Sequence, residues 1–290
     1  MIEKRDLPQR SLTALNYAII TLVALLCLYP CIHVLAASFS DPVRLIRHRG
    51  ALLWPTGYSL RGYQTVFNNP NILIGYGNTL FYVLVGTAIN IVLTSLGAYA
   101  LARRGWPLRK LFVFLFVFTM YFNVGIIPTF MLVKGLRILN TRWPIVLPLP
   151  INSCNLIVMR TSFAGVPDEL QESAYLDGAS DLRILCQIYV PVCKATMAVM
   201  LLFYAVEHWN SWFTAMIYLT DTGLYPLQMF VRDILLFDGA AGTTEDANAI
   251  YLKELTKYAV IVVSIVPILV VYPFVQKFFV KGVMLGSVKG

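Results

Sequence analysis

Charge is what this sequence has least of. Only 13% of its 290 residues are Asp, Glu, Lys or Arg, about half of what a soluble domain carries. A chain so poor in charge and 58% hydrophobic does not pack as a water-surrounded globule. The signatures of hydrolytic chemistry are missing too. There is no G-x-x-x-x-G-K-[ST] phosphate loop, no H-E-x-x-H and no G-x-S-x-G. The three histidines, His33, His48 and His208, are far apart in sequence, and nothing resembles a paired-carboxylate catalytic site or a metal site. An enzyme is therefore not expected, and any ATP hydrolysis must come from another subunit. The five cysteines form no C-x-x-C. Cys27 and Cys31 lie one turn apart, a poor disulfide geometry within one helix, so the cysteines read as small apolar packing residues. No repeat and no low-complexity tract is present. The net charge of +8 comes without a basic run interleaved with aromatics, so it points to topology and anionic head groups rather than nucleic acid.

What is there in quantity is apolar chain. Uncharged or nearly uncharged runs predict spans at about 12–37, 77–102, 111–133, 143–163, 194–219 and 258–279. Each approaches or exceeds the roughly 20 residues needed to cross hydrocarbon. Runs this long exclude a β-barrel, whose strands alternate. The first run follows Lys4, Arg5 and Arg10 and ends at Ala36-Ala37-Ser38, as a signal peptide would. Its apolar core is longer than the roughly 7 to 15 residues of such a peptide, which favours a retained span. The expected fold is thus an all-α integral membrane protein with one domain over 1–290. Lys and Arg are slightly more numerous in the segments that an inside N-terminus makes cytosolic. The Arg103-Arg104 and Arg109-Lys110 cluster is the clearest inside marker. Two outer loops are long. One, 38–76, carries Arg44, Arg47 and Arg49. The other, 220–257, holds a short helix begun at Pro226, a Gly239–Gly242 turn, and Glu245-Asp246 opening a further helix.

One polar stretch between the spans looks purpose-built. Pro167 suits the first position of a short helix, and Asp168, Glu169 and Glu172 crowd its positive end. Gly178 is a natural stop, because glycine tolerates the left-handed cap conformation. Ser180 can cap a second helix with Asp181 in its first turn and Leu182, Leu185 and Ile188 along one side. Pro191 then begins the next element. Two short helices joined at a glycine make a rigid elbow over 164–192.

The same residues carry a resemblance. Glu172, Ala174, Gly178, Ile188 and Pro191 match the EAA loop of ABC-importer permeases, with Ser173 and Val190 as small departures. Asp177 and Ala179 fit the sugar-importer version. Further stretches resemble the sugar-importer permeases: Gly125 to Thr129, Leu139 to Trp143, Asn155 to Arg160, His208 to Phe213, Leu224 to Gln228, Tyr272 to Phe274 and the tail from Phe279. The set is similar to the second permease of maltose-type importers, and closer to the subgroup handling oligosaccharides of complex polysaccharides, the alginate-type importer included. Glu207 departs from that subgroup, where a small residue precedes His-Trp-Asn.

The resemblance implies a type I importer permease fold, located in a bacterial inner membrane with both termini cytosolic. It implies a homologous second permease, two ATP-binding subunits and an extracytoplasmic solute-binding protein as partners. No cofactor is expected in this chain, since ATP and Mg would be bound by the partner subunits. Glu172, Ser173, Ala174, Asp177, Gly178, Ala179, Ile188 and Pro191 would form the part that couples to the ATPase.

For the oligosaccharide path, sugars need aromatic faces and amide or carboxylate hydrogen bonds. Trp209, Trp212, Phe213 and Tyr121 supply faces, and Asn210, Asn123, Asn155, Asn152 and His208 supply polar groups at membrane depth. The blander role for these aromatics is an interface belt or packing on the partner permease. Glu207 can pair with His208 or with a partner-chain residue. Arg44, Arg47 and Arg49 suggest attraction of a polyuronate, docking of the binding protein, or lipid head groups. The alternative class is an ion-gradient-driven secondary transporter with Glu207-His208 as a proton relay.

Overall fold

The computed structural model describes residues 7–103, 105–122, 124–236 and 247–286. Among them every regular element is helical, and the β pairing is a single antiparallel bridge between Ser40 and Tyr58. The all-α class expected from the apolar runs holds. Where one domain was expected, the chain packs as two compact units. One draws on Met1–Asn69 and Asp233–Ile265, the other on Pro70–Arg232 and Val266–Gly290.

In the first unit, α1 (Leu7–Ser38) is followed by α2 (Pro42–Arg47) and α3 (Arg61–Asn68). The apolar side chains of α1 stay uncovered all round, the pattern of a helix whose solvent is lipid rather than a core. Only its last turn is covered: Ala36 and Ala37 bury against Leu52, with Leu45 and Tyr258 beside them. Asp41 starts α2 by accepting hydrogen bonds from the Val43 and Arg44 amides, both at 3.1 Å, with Pro42 in the first turn. Arg44 and Arg47 lie on this short helix.

The second unit begins with α4 (Pro70–Phe81), which runs through a π turn at Tyr82–Gly86 into α5 (Thr87–Ala102). There follow α6 (Arg109–Tyr121), α7 (Ile126–Gly135), α8 (Trp143–Val146), α9 (Ser153–Phe163), α10 (Asp168–Leu176) and α11 (Asp181–Ile184). A second π turn at Leu185–Tyr189 leads into α12 (Val190–Val192), then α13 (Lys194–Trp209) and α14 (Trp212–Tyr218). The last helices, α15 (Leu227–Leu236) and α16 (Ala247–Gly286), contribute to both units. The Gly239–Gly242 turn and the Glu245-Asp246 pair fall outside the described residues.

The apolar runs are helical, yet they are not six straight rods. Leu12–Ser38, Pro70–Ala102 and Tyr251–Pro273 are each long and apolar enough to cross a membrane. Two bent pairs qualify only when taken together: α6 with α7, at 113°, and Asp181–Val192 with α13, at 91°. The run 143–163 is split into α8 and α9, and the run 194–219 breaks at Asn210-Ser211. The second of these breaks falls beside Glu207, His208 and Asn210, the polar residues that interrupt that run in the sequence, whereas the first falls in the uncharged stretch 147–152, where periodicity leaves no mark.

Open backbone among apolar side chains needs partners, and α5 and α13 supply them. Thr87, Asn90 and Thr94 are spaced three and four apart and are buried on one face of α5. Asn90 Nδ2 donates to the Pro150 carbonyl at 2.7 Å. The Tyr204 hydroxyl meets Thr94 Oγ1 at 2.7 Å and accepts from the Asn152 amide at 3.2 Å. Asn152 in turn caps α9, accepting from the Cys154 and Asn155 amides. The core around them is formed by Ala98, Tyr99, Leu101 and Ala102 of α5, Leu156, Met159 and Phe163 of α9, and Met200 of α13. Truncating Leu156 or Met159 to Ala should cost about 2–5 kcal/mol. Of the cysteines, only Cys193 is buried, so the packing role expected for all five falls to this one.

At the other end of α4, Asn78 Nδ2 donates to the Gly223 and Tyr225 carbonyls, and the Tyr82 hydroxyl donates to Leu224 O at 2.7 Å. Thr79 Oγ1 accepts the Leu227 amide at 2.8 Å, satisfying a free N–H at the start of α15. The helix foreseen at Pro226 thus forms, from Leu227 on, and Leu227, Phe230 and Val231 are buried. Asn140 adopts φ 54° and its Oδ1 accepts from both the Thr220 and Asp221 amides. That dual role accounts for an asparagine in the Leu139–Trp143 stretch.

Gly75 explains how closely α4 and α15 approach. A Cβ there would lie 2.8 Å from a Phe230 ring carbon and 2.9 Å from the Leu227 Cα, and backbone cannot yield as a side-chain tip can. Gly77, two residues on, has nothing within 4 Å of the same position. Thermal unfolding in detergent should separate them. Gly75→Ala is expected to lose about 1–3 kcal/mol from overpacking, whereas Gly77→Ala should gain up to about 1 kcal/mol from helix propensity.

Candidate functional site

The elbow forms, and its glycine stop is explicit. Gly178 has φ +75°, its amide donates to Tyr175 O at 3.0 Å, and the Ala179 amide donates to Ala174 O at 2.9 Å. These paired bonds are a Schellman cap, and Ala174 and Ala179 close it as the accompanying apolar contact against the core. Three positions of the EAA stretch, Ala174, Gly178 and Ala179, therefore have a local structural reason. No atom lies within 4 Å of a Cβ built on Gly178, so the constraint there is backbone conformation, not space.

Three details differ from the sequence reading. Pro167 precedes the first helical residue, Asp168, as its cap position rather than occupying the first turn. Ser180 stands at the N-cap of α11 but its hydroxyl makes no capping bond. Leu182 is 64% exposed, and the buried pair is Ile184 with Leu185. Ile188 is half-buried against the same core. Pro191 lies inside α12, just before the chain turns through 91° at Cys193. The π turn directly ahead of it widens the helix where a proline lacks an N–H and crowds the carbonyl four residues back.

The second half of the elbow is anchored and the first half is not. Ile184, Leu185, Tyr189 and Cys193 join the core of α5, α9 and α13. The Tyr189 ring is edge-on to Tyr99 at 5.0 Å and Phe163 at 5.4 Å, and its hydroxyl donates to Gln171 at 2.6 Å. No residue of α10 is buried. A polar knot ties it back: Arg103 Nη1 donates to Asp181 at 2.7 Å, the Tyr99 hydroxyl donates to the same oxygen at 3.1 Å, and Tyr175 bonds both Asp181 and Arg103. Glu172, Asp168 and Gln171 face a concavity of about 310 Å³ with Arg103 on its rim. Ser173 and Asp177 are exposed, and Leu176 is 90% exposed. The sequence reading missed Arg103, Tyr175 and Tyr189 as elbow residues. A tyrosine one turn before Arg103 and another beside Ile188 were the available signals.

The second feature is a cavity of about 1300 Å³ within the second unit. Of the residues expected to line a path, Asn152, Asn155, His208, Trp209, Asn210 and Phe213 do so. Trp212 does not: its ring lies 5.4 Å below the Arg232 guanidinium. Tyr121 is 82% exposed and away from the cavity. Asn123 falls outside the described residues.

His208 is held from the side opposite Glu207. Asn90 Nδ2 is spent on Pro150, so its Oδ1 accepts, and His208 Nε2, at 2.9 Å, is the donor. The imidazole occupies the place of a missing side chain, since a Cβ on Gly86 would sit 2.3 Å from Nε2. The pairing of His208 with Glu207 allowed by their adjacency is thus replaced by His208 with Asn90. Trp209 Nε1 and Ser211 Oγ are buried with no hydrogen-bond partner among the described residues. Among the described residues, none groups three or more His, Cys, Asp or Glu side chains as a metal site would.

Comparison with known proteins bears on both features. The chain is 40% identical over 95% of its length, and 97% of the relative's, to the polygalacturonan/rhamnogalacturonan transport system permease protein YtcP of Bacillus subtilis. It is 39% identical over 92% of its length, and 91% of the relative's, to protein LplC of the same organism. Among solved structures, a chain of a bacterial ABC transporter involved in the import of the acidic polysaccharide alginate superposes with a TM-score of 0.87. That pair is 32% identical, with 94% of this chain and 98% of that one covered. Residues 90–285, which hold the elbow, the knot partner Arg103 and most of the cavity wall, match the family described as "Binding-protein-dependent transport system inner membrane component", and the chain belongs to that family.

Proposed function

We propose that this chain is one of two membrane-spanning subunits of an ATP-driven, binding-protein-dependent oligosaccharide importer. It forms half of the path and couples to ATP-binding subunits through the elbow at 164–192. The observation that carries this reading is the asymmetry of the elbow. The half from Ile184 to Cys193 is built into the core of α5, α9 and α13, whereas no residue of α10 is buried, and Leu176 at the end of α10 and Leu182 at the start of α11 project bare apolar side chains. An exposed apolar pair on a rigid, polar-rimmed projection is a docking surface. Push on it, and the core helices must follow, because packed interiors shift as bodies rather than deform.

The remaining parts follow from chemistry. The sequence has no phosphate-binding loop, so ATP and Mg belong to partner subunits. The elbow and both termini lie in the cytosol, in keeping with Arg103 bonded to the elbow and with the positive-inside rule. A homologous permease completes the path, and a solute-binding protein delivers saccharide on the other side. The cavity suits a sugar, with Trp209 and Phe213 for its C–H faces and Asn155, Asn210 and Glu207 for its hydroxyls. The names of YtcP and of the alginate transporter support a saccharide. An ion-gradient mechanism with Glu207-His208 as relay loses its support, since His208 is bonded to Asn90 instead.

Two experiments test this reading. In proteoliposomes holding the assembled complex, uptake should need internal ATP and persist when the proton gradient is collapsed. Gradient-driven uptake without ATP overturns the proposal. For the elbow, Gly178→Asp should cost only about 1–2 kcal/mol, from the left-handed backbone, because the new side chain meets no neighbour. The variant should still insert and fold, yet lose most saccharide-stimulated ATP hydrolysis and uptake. Normal transport by folded Gly178→Asp would reduce the elbow to a connector.

A further inference from the structure

Residues 203, 207, 210 and 214 recur at helical spacing along the end of α13 and the start of α14, and all four line the cavity. They are Phe203, Glu207, Asn210 and Thr214. Glu207 is exposed toward this space and makes no ion pair or hydrogen bond among the described residues. Its neighbour His208 is turned away onto Asn90 at 2.9 Å and gives no compensation. Among the described residues, no Lys or Arg lines the cavity. The acidic-substrate idea drawn from Arg44, Arg47 and Arg49 rests on residues of the first unit, none of them in this wall. The wall of the second unit is apolar and amide-lined with one net carboxylate.

Such a wall discriminates between saccharides by charge. A carboxylate only accepts hydrogen bonds, and it can take two from the vicinal hydroxyls of a sugar ring. A uronate ring in the same place brings its own carboxylate. Two unit charges about 6 to 8 Å apart at an effective dielectric near 20 repel enough to slow passage by about tenfold or more. From this we infer that Glu207 is a specificity-determining residue that makes the path favour uncharged saccharides over uronates. The inference rests on reading the cavity as the saccharide path. It narrows the substrate to glycans whose hydroxyls, not carboxylates, face this side.

The test uses the complete importer with its binding protein in proteoliposomes. Saccharides are offered as a panel of matched pairs, of the same length, linkage and stereochemistry, differing only in hydroxymethyl or carboxylate at C6. Galactotriose against trigalacturonate is one such pair. The ratio of neutral to uronate uptake is measured for the wild type, Glu207→Gln and Glu207→Lys, so that any selection by the binding protein cancels between variants. The wild type should favour the neutral member. Glu207→Gln should lower the ratio about tenfold, chiefly by admitting the uronate, and Glu207→Lys should lower it further. An unchanged ratio across the three proteins overturns the inference, as does a wild type that takes up uronates at least as fast. Loss of all uptake in both variants, with the complex still assembled by size-exclusion chromatography, assigns Glu207 a purely structural role and also overturns it. If the wild type takes up no saccharide of any pair, the oligosaccharide reading itself fails, a result distinct from an unaltered ratio.

Discussion

A break in a helix among apolar side chains survives only if its open peptide groups find partners. Residues 147–152 are such a break, and much of the second unit is arranged to satisfy it. Asn90 takes the Pro150 carbonyl, Tyr204 takes the Asn152 amide, and Asn152 caps α9. Each partner is then fixed in turn: Tyr204 by Thr94, and Asn90 by His208. The polar stripe of α5 thus faces inward, and α9 and α13 pack about it. The cavity lies beside this network, and Asn90, Asn152, Asn155 and His208 belong to its wall. Paired buried polar groups stiffen a core, and Asn90, Thr94, Tyr204 and His208 stiffen this part of the cavity wall.

The elbow follows the opposite rule. It meets the body through apolar burial of Ile184, Leu185 and Tyr189 and through one polar knot at Asp181. An exposed ion pair alone contributes about 0–1 kcal/mol, so Arg103 and Asp181 set direction more than strength. Tyr189 does both, packing between Tyr99 and Phe163 while reaching Gln171 on the uncovered helix. A projection held this way can be pushed without being peeled off.

How much of this could be read from residues alone depends on the interaction concerned. Gly178 was legible because a left-handed stop leaves a glycine at a fixed place, and so was the helix after Pro226. The apolar runs were legible as membrane chain, but not the bends at 122–125, 147–152 and 193. The break at 147–152 depends on tertiary hydrogen bonds from residues some 50 or more positions away along the chain, such as Asn90 to Pro150. For the cavity, six of the expected residues line it, whereas Trp212 and Tyr121 do not. An aromatic beside the right motif has no sequence mark for the face it occupies. Asn90 could have been found, since an asparagine inside an apolar run is costly unless it has a partner. The π turn at Leu185–Tyr189 shifts the helix phase between Leu185 and Ile188, which spacing rules built on 3.6 residues do not foresee.

The ring of His208 fills the volume that a side chain at Gly86 would need. Descent with modification cannot therefore treat these two sites as separate letters. Anything larger than hydrogen at 86 ejects the imidazole, and a smaller apolar residue at 208 leaves both a hole and an unpaired Oδ1 on Asn90. Across natural lineages the pair should drift together or stand still, a constraint written in geometry rather than in chemistry of transport.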